Sequence, residues 1–258
     1  MNRRDVLQAS GLALAAAALL PRAAAEEKPA AGRKVMAFLL YPEFTALDLV
    51  GPHQILAALR GYDVQLVWKT REPVRSDAGL VVQPTMTFKE CPHELALLFV
   101  PGGTTGTLRM MADEEVLAFL KARGAKADYV TSVCTGSLVL GAAGLLRGYK
   151  ATSHWTSREV LAVLGAEPVD ARVVWDRNRV TGGGVTAGID FGLEVAAKLS
   201  TEKNAKALQL MLEYDPQPPF RSGSPKQADP DVAKQIQTIA GPFVALARAA
   251  AEKAKRTW

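Results

Sequence analysis

Tyr129-Val-Thr-Ser-Val-Cys134-Thr-Gly-Ser-Leu-Val-Leu-Gly-Ala-Ala143 decides the fold, because a β-branched run stops at one cysteine and small, helix-compatible residues start immediately after it. That pattern reads as a nucleophile elbow, a sharp strand-to-helix turn that lifts one side chain out of the sheet. A sulfur placed there meets the unpaired N–H groups and positive end of a helix, which favour thiolate over thiol. Cys134 is therefore the candidate nucleophile. The alternative is a buried core cysteine, the usual fate of a free thiol, but its place at a strand end, between Val133 and Thr135-Gly136, argues against that.

Outward from the elbow, the hydrophobic period switches repeatedly between strand and helix. Residues 35–40 form a near-continuous apolar run, as expected for a central parallel strand, and 64–68 and 95–100 read the same way. Gly51-Pro52 is expected to open a helix through residue 59, with Pro52 in its first turn. A small hairpin is expected around residues 75–82, a charged helix over 113–123 and a polar helix over 157–164. A second hairpin should turn at Asp176-Arg-Asn178, and a long helix should run from about 189 past 203. Such alternation means an α/β sandwich with a mostly parallel central sheet. In these sheets ligands sit at the carboxyl ends of strands. Asp48, Gly102-Gly103, Cys134 and Gly182-Gly183-Gly184 all follow predicted strands, so one crevice can hold them.

Composition bounds the rest. A chain of 258 residues with 48% hydrophobic content can bury one substantial core. Residues 1–25 read as an export signal, with a positive Met1-Asn-Arg-Arg4 start, an apolar stretch from Val6 to Leu20 and small Ala23-Ala-Ala25 at the cleavage positions. Paired Arg3-Arg4 resembles a twin-arginine signal, which sends folded cargo to the periplasm; without a working leader the protein would stay cytoplasmic. Three arginines against Asp5 give the leader +2 of the formal +5, so the mature chain carries about +3 and shows no nucleic-acid surface. Downstream of the leader no apolar stretch is long enough to cross a bilayer, so no membrane insertion is expected once the leader is cleaved. Residues 215–225 are rich in proline and small residues and should wrap the domain in extended form. A helical extension follows over about 231–254, which Gly241-Pro242 should break or kink.

Three kinds of group are needed around the thiol. Backbone N–H groups at Gly103 and Thr135 could stabilise developing charge, with glycine admitting a close approach. Asp48, in Leu47-Asp-Leu49, is either a helix-entry cap or an active-site acid. His154 is a structural or pocket-lining residue, or a general base. Cys91, in Phe88-Lys-Glu-Cys-Pro-His93, is a packing residue, since a disulfide to Cys134 would consume the nucleophile. His53 and His93 lack metal-ligand spacing, so no metal site is expected. Gly182-x-Gly184-x-x-Ala187 matches a relaxed dinucleotide fingerprint, but no βαβ continuation follows, and the glycines read as close packing beside the cysteine.

The elbow, together with Phe44-Thr-Ala-Leu-Asp48-Leu-Val-Gly-Pro52, Phe99-Val-Pro-Gly-Gly103, Ala151-Thr-Ser-His154-Trp155 and Thr181-Gly-Gly-Gly-Val-Thr-Ala-Gly-Ile-Asp190, resembles the ThiJ/PfpI superfamily and, within it, the isonitrile hydratase branch. The resemblance runs over residues 33–225, leaving 226–258 as the helical extension. It implies a three-layer, flavodoxin-like and glutamine amidotransferase-like fold. It also implies hydration of an isonitrile to an N-substituted formamide through a cysteine thioimidate, as a hydro-lyase without cofactor. Cys134, Asp48 and Thr135 would be catalytic, and Gly102, Gly103, Thr135, His154, Gly183 and Gly184 would line the substrate and oxyanion side. A small-molecule substrate and a homodimer are further implications; an export leader departs from that branch.

Two other readings stay open within the superfamily. One is a binding or redox-sensing module like those of AraC-type regulators, although only about thirty residues follow Ser224-Pro225, too few for their helix-turn-helix domain. The other is a deglycase- or peptidase-like stress protein. In some PfpI proteases a histidine directly follows the nucleophile, and Thr135 holds that place here.

Overall fold

The computed structural model describes residues 32–256 and 258, so the export leader lies outside the described residues. Strands are β1 (Lys34–Leu39), β2 (Tyr62–Trp68), β3 (Val74–Arg75), β4 (Val81–Val82), β5 (Met86–Thr87), β6 (Leu97–Val100), β7 (Tyr129–Val133), β8 (Lys150–Ala151), β9 (Glu167–Pro168), β10 (Val173–Asp176) and β11 (Arg179–Gly182). Helices are α1 (Ala46–Leu56), α2 (Thr105–Ala112), α3 (Glu114–Gly124), α4 (Gly136–Ala142), α5 (Val160–Val163), α6 (Ala187–Leu199), α7 (Glu202–Met211) and α8 (Pro230–Lys255).

Seven strands form the central sheet in the order β10-β11-β7-β6-β1-β2-β5, and every pairing is parallel except β10 with β11. β1 and β6 bury nearly all their side chains because both sheet faces are covered. Phe38 on β1, Phe99 on β6 and Phe191 on α6 stack through the centre, with ring centroids 4.5 and 5.7 Å apart. Helix α1 packs on α6, which packs on α7, while α8 packs on α2, α4 and α5. The chain leaves β1 toward β2 on one side and enters β6 on the other. The connections leaving their carboxyl ends therefore run to opposite sides, the place where sheets of this kind form a ligand crevice.

Four local expectations are corrected. Helix α1 starts at Ala46 rather than at Gly51-Pro52, and Pro52 lies in its interior. The lost backbone hydrogen bond is tolerated because tertiary packing overrides local preference. Gly188 and Gly192 on α6 make room for the Pro52 ring and backbone: a Cβ on either would come within 3.1 to 3.3 Å of Pro52 atoms. The helix expected from 189 past 203 is two helices, because Thr201 Oγ1 accepts from Asn204 N–H at 3.2 Å and caps a new one. The polar helix over 157–164 shrinks to Val160–Val163. Helix α8 runs unbroken through Gly241-Pro242, its Ala247, Ala251 and Ala254 buried against the body. One further helix, α2, follows Gly103-Thr104 without a clear periodic signal in the sequence.

Candidate active site

Each site residue arrives by the same device, a loop leaving the carboxyl end of a parallel strand. β7 ends at Val133, and Cys134 takes φ +57°. Such a left-handed conformation costs a non-glycine residue free energy, of order 1 kcal/mol. Hydrogen bonds hold it there. Cys134 N–H donates to the carbonyls of Gly182 (3.1 Å) and Gly183 (2.8 Å) on the neighbouring strand end. The Cys134 carbonyl accepts from Ser137 Oγ at 3.1 Å and Ser153 Oγ at 3.0 Å. The elbow predicted from the sequence is thus a strained turn pinned on both backbone groups.

Asp48 lies in the first turn of α1, fully buried. It does not cap that helix: Asp48 N–H bonds the Thr45 carbonyl at 3.1 Å, and Oδ2 accepts from Gly102 N–H at 2.9 Å, across the crevice. Among the described residues Oδ1 is buried with no N–H or O–H partner, and the Cys134 thiol is the group beside the carboxyl. Gly102 stands where Asp48, Thr135 and Cys134 meet. A Cβ added to it would fall 2.6 Å from Asp48 Oδ2, 2.7 Å from Thr135 N and 2.8 Å from Cys134 Cβ. Only glycine lets the three converge.

Electrostatics here run against the expectation of a preformed thiolate. Burial pushes the Asp48 carboxyl up from 3.8 to about 7, opposed by the Gly102 N–H and the Cys134 thiol, while Asp77 adds a further upward push. Burial likewise pushes the Cys134 thiol well above its ordinary value. The neighbouring Asp48 charge raises it further, against the pull of the Thr135 N–H and side chain. The cause of the departure is geometric: α4 is a short apolar helix, and its N-terminal field acts on a sulfur that water barely reaches. The resting pair is a thiol beside a carboxyl that ionises only near neutral pH.

Gly103 N–H donates to Thr135 Oγ1 at 3.0 Å, and Gly102 N–H to Asp48, so both are committed within the protein. That leaves Thr135 N–H as the backbone donor beside the sulfur. His154 Nδ1 pairs with Thr156 Oγ1 at 2.8 Å, and burial lowers its pKa. With Gly183, Gly184 and Ser153 it lines a cleft of about 420 Å³ against the elbow backbone, and Gly223, Ser224, Pro225 and Lys226 line it as well. Lys226 Nζ reaches Asp170 Oδ2 at 2.8 Å, which ties the extended segment down. Sequence reasoning passed over Ser153, Tyr41 and Thr107. Tyr41 continues the apolar run of β1, and the residues near Thr107 carry no motif.

Cys91 is a buried free thiol whose carbonyl accepts from Arg123 Nη2 at 2.9 Å. Cys91→Ala is expected to change turnover less than about twofold while costing on the order of 1 kcal/mol of stability, as small core truncations do. Parallel rate and melting measurements check this; a rate loss matching that of a Cys134 variant identifies Cys91 as the reactive thiol instead.

Known proteins match this arrangement. An isonitrile hydratase of Pseudomonas putida is 50% identical over 217 residues, 84% of this chain and 94% of the relative. The crystal structure of a ThiJ/PfpI family protein from Pseudomonas syringae aligns with a TM-score of 0.84 at 51% identity, covering 90% of this chain and 99% of that one. A deglycase of Pyrococcus horikoshii is 32% identical over 145 residues, 56% of this chain and 86% of the relative. The DJ-1/PfpI family profile matches residues 33–198, with the strand ends that carry Asp48, Gly102 and Cys134 inside it, and the chain belongs to that family.

Proposed function

We propose that the protein is a hydro-lyase that adds water to an isonitrile and releases an N-substituted formamide. The observation that carries this is the buried pairing of the Cys134 thiol with the Asp48 carboxyl, a base held beside the sulfur that ionises at about pH 7. Asp48 takes the thiol proton as the sulfur attacks the terminal isonitrile carbon, then delivers it to that carbon, giving a thioimidate. The carboxylate next takes a proton from an attacking water. That proton passes to nitrogen, and as the carbon–sulfur bond breaks the adduct's hydroxyl gives its own proton through Asp48 to the departing sulfur, so the formamide leaves and the thiol is restored. Thr135 N–H, beside the sulfur, favours the thiolate as it forms and leaves.

Incubating purified protein with cyclohexyl isocyanide and detecting the formamide tests the proposal. Similarity to a deglycase supports a second reading, hydrolytic repair by the same cysteine. Absence of formamide, with Cys134 still reactive, would favour it. Export and a homodimer belong to the same proposal. Residues 1–30 fused to a reporter that folds in the cytoplasm should carry it to the periplasm, and lysines in place of Arg3-Arg4 should trap it inside. Undiminished export of the lysine fusion points to the Sec route. The dimer is supported by an apolar cleft on α1 and α6, where Leu47 and Val50 are exposed beside Ile189 and Leu212.

A further inference from the structure

Behind the elbow lies a chain of three buried hydroxyls that the proposed chemistry does not use directly. Tyr41 and Thr107 are fully buried and Thr135 nearly so. Tyr41 Oη donates to the Pro101 carbonyl at 2.9 Å and lies 3.3 Å from Thr107 Oγ1. Thr107 Oγ1 lies 2.8 Å from Thr135 Oγ1. Thr135 Oγ1 in turn meets both backbone groups of Gly103, accepting from N–H at 3.0 Å and donating to the carbonyl at 2.7 Å.

Counting protons fixes the direction of the chain. Each hydroxyl has one proton to give. The Gly103 carbonyl takes the proton of Thr135, so the 2.8 Å contact with Thr107 must be filled by the proton of Thr107. Tyr41 shares its one proton between the Pro101 carbonyl at 2.9 Å and Thr107 Oγ1 at 3.3 Å, so Thr107 accepts from Tyr41 while it donates to Thr135. Thr135 Oγ1 thereby accepts from Gly103 N–H and Thr107 while it donates outward. Its χ1 rotation is fixed, and with it the backbone that carries Thr135 N–H next to Cys134. The same lock ties the Gly102-Gly103 loop to the elbow. Burial makes each of these bonds costly to leave unmade.

We propose that Tyr41 and Thr107 are positioning residues that act through Thr135 to hold its N–H on the Cys134 sulfur. This rests on the functional reading above only for its turnover arm. The other arm, alkylation of Cys134 by iodoacetamide followed on its own peptide across a pH series, needs no isonitrile chemistry.

Thr107→Val keeps the shape and deletes the donated proton. It should slow Cys134 alkylation at neutral pH about tenfold and lower kcat by a similar factor, with KM within about twofold of the parent. The alkylation profile should move to higher pH, because the Thr135 N–H that favours the thiolate is loosened. Thr107→Ser restores the hydroxyl and should recover both rates to within about twofold. Tyr41→Phe should show a smaller slowing, about threefold, and the double variant should be less than the product of the two, since both act on one chain.

Parent-like alkylation in folded Thr107→Val and Tyr41→Phe overturns the proposal. If the valine variant does not fold, the phenylalanine variant alone decides: parent-like alkylation overturns the proposal and slowed alkylation upholds it. A parent that makes no formamide, with variants that still slow alkylation, removes the functional reading and leaves the positioning role standing. A parent that turns over, with variants indifferent in both arms, does the reverse.

Discussion

Replacing Cys134 with alanine is expected to abolish formamide production, by roughly 10⁴-fold or more, while the protein folds and melts close to the parent. The loss is large because, among the described residues, Cys134 is the one thiol on the crevice: Cys91 is buried elsewhere beside Arg123, and the Thr135 hydroxyl is bonded to Gly103 and Thr107. Stability is spared for a separate reason. The strain of φ +57° belongs to any side chain with a Cβ, so alanine inherits it without adding to it. Hydrogen bonds from Ser137 and Ser153 reach the backbone carbonyl and survive the change. A variant that retains full turnover would exclude covalent catalysis.

Asp48→Asn is expected to separate stability from rate. An amide oxygen can still accept from Gly102 N–H, so the crevice stays assembled, but it cannot take a proton from the thiol. Turnover should fall by about a hundredfold or more, the usual scale of lost general acid–base catalysis. In the parent, kcat/KM should rise with pH through about 7 as the carboxyl ionises, and that limb should vanish in the variant.

Stability moves the other way. The unfolded carboxyl ionises near 3.8, whereas the folded one keeps its proton to about 7. Across that window the unfolded chain gives up a proton that the folded chain retains. Stability is therefore full below about pH 4 and declines as pH rises through about 7, by an amount on the order of 4 kcal/mol at most. The asparagine variant lacks this slope and should melt above the parent at pH 8. Thermal melts at pH 5 and 8, beside a formamide assay on the same preparations, decide it; a variant with the parent's rate makes Asp48 structural and passes proton handling to His154.

The elbow was legible in the sequence because its cause is local. A β-branched strand, one cysteine and a run of small residues are contiguous, and steric preferences within a few residues produce the turn. Placement of Asp48, Gly102, Cys134 and Gly182 at strand ends was legible for the same reason, since each follows an apolar run of strand length. Local signals misled where packing from afar outweighed them. Pro52 sits inside α1 because two glycines on α6 receive it, and Gly241-Pro242 does not interrupt α8 because alanines farther along anchor the helix.

The proton affinities at the site could not be read from residue types. Helix position alone predicts a thiolate at Cys134, but burial and the approach of Asp48 from the first turn of α1, 86 positions earlier, push the thiol the other way. The commitments of Gly102 N–H, Gly103 N–H and the Thr135 hydroxyl likewise depend on partners between 28 and 54 positions away. Thus the amino-acid sequence by itself determined the architecture, the elbow that carries Cys134 and the strand ends around it, all of which follow from local periodicity and sterics. Only the tertiary structure decided which protons are held, which donors remain free and which buried hydroxyls align the elbow, because desolvation and hydrogen-bond partnership are properties of groups brought together across the sheet.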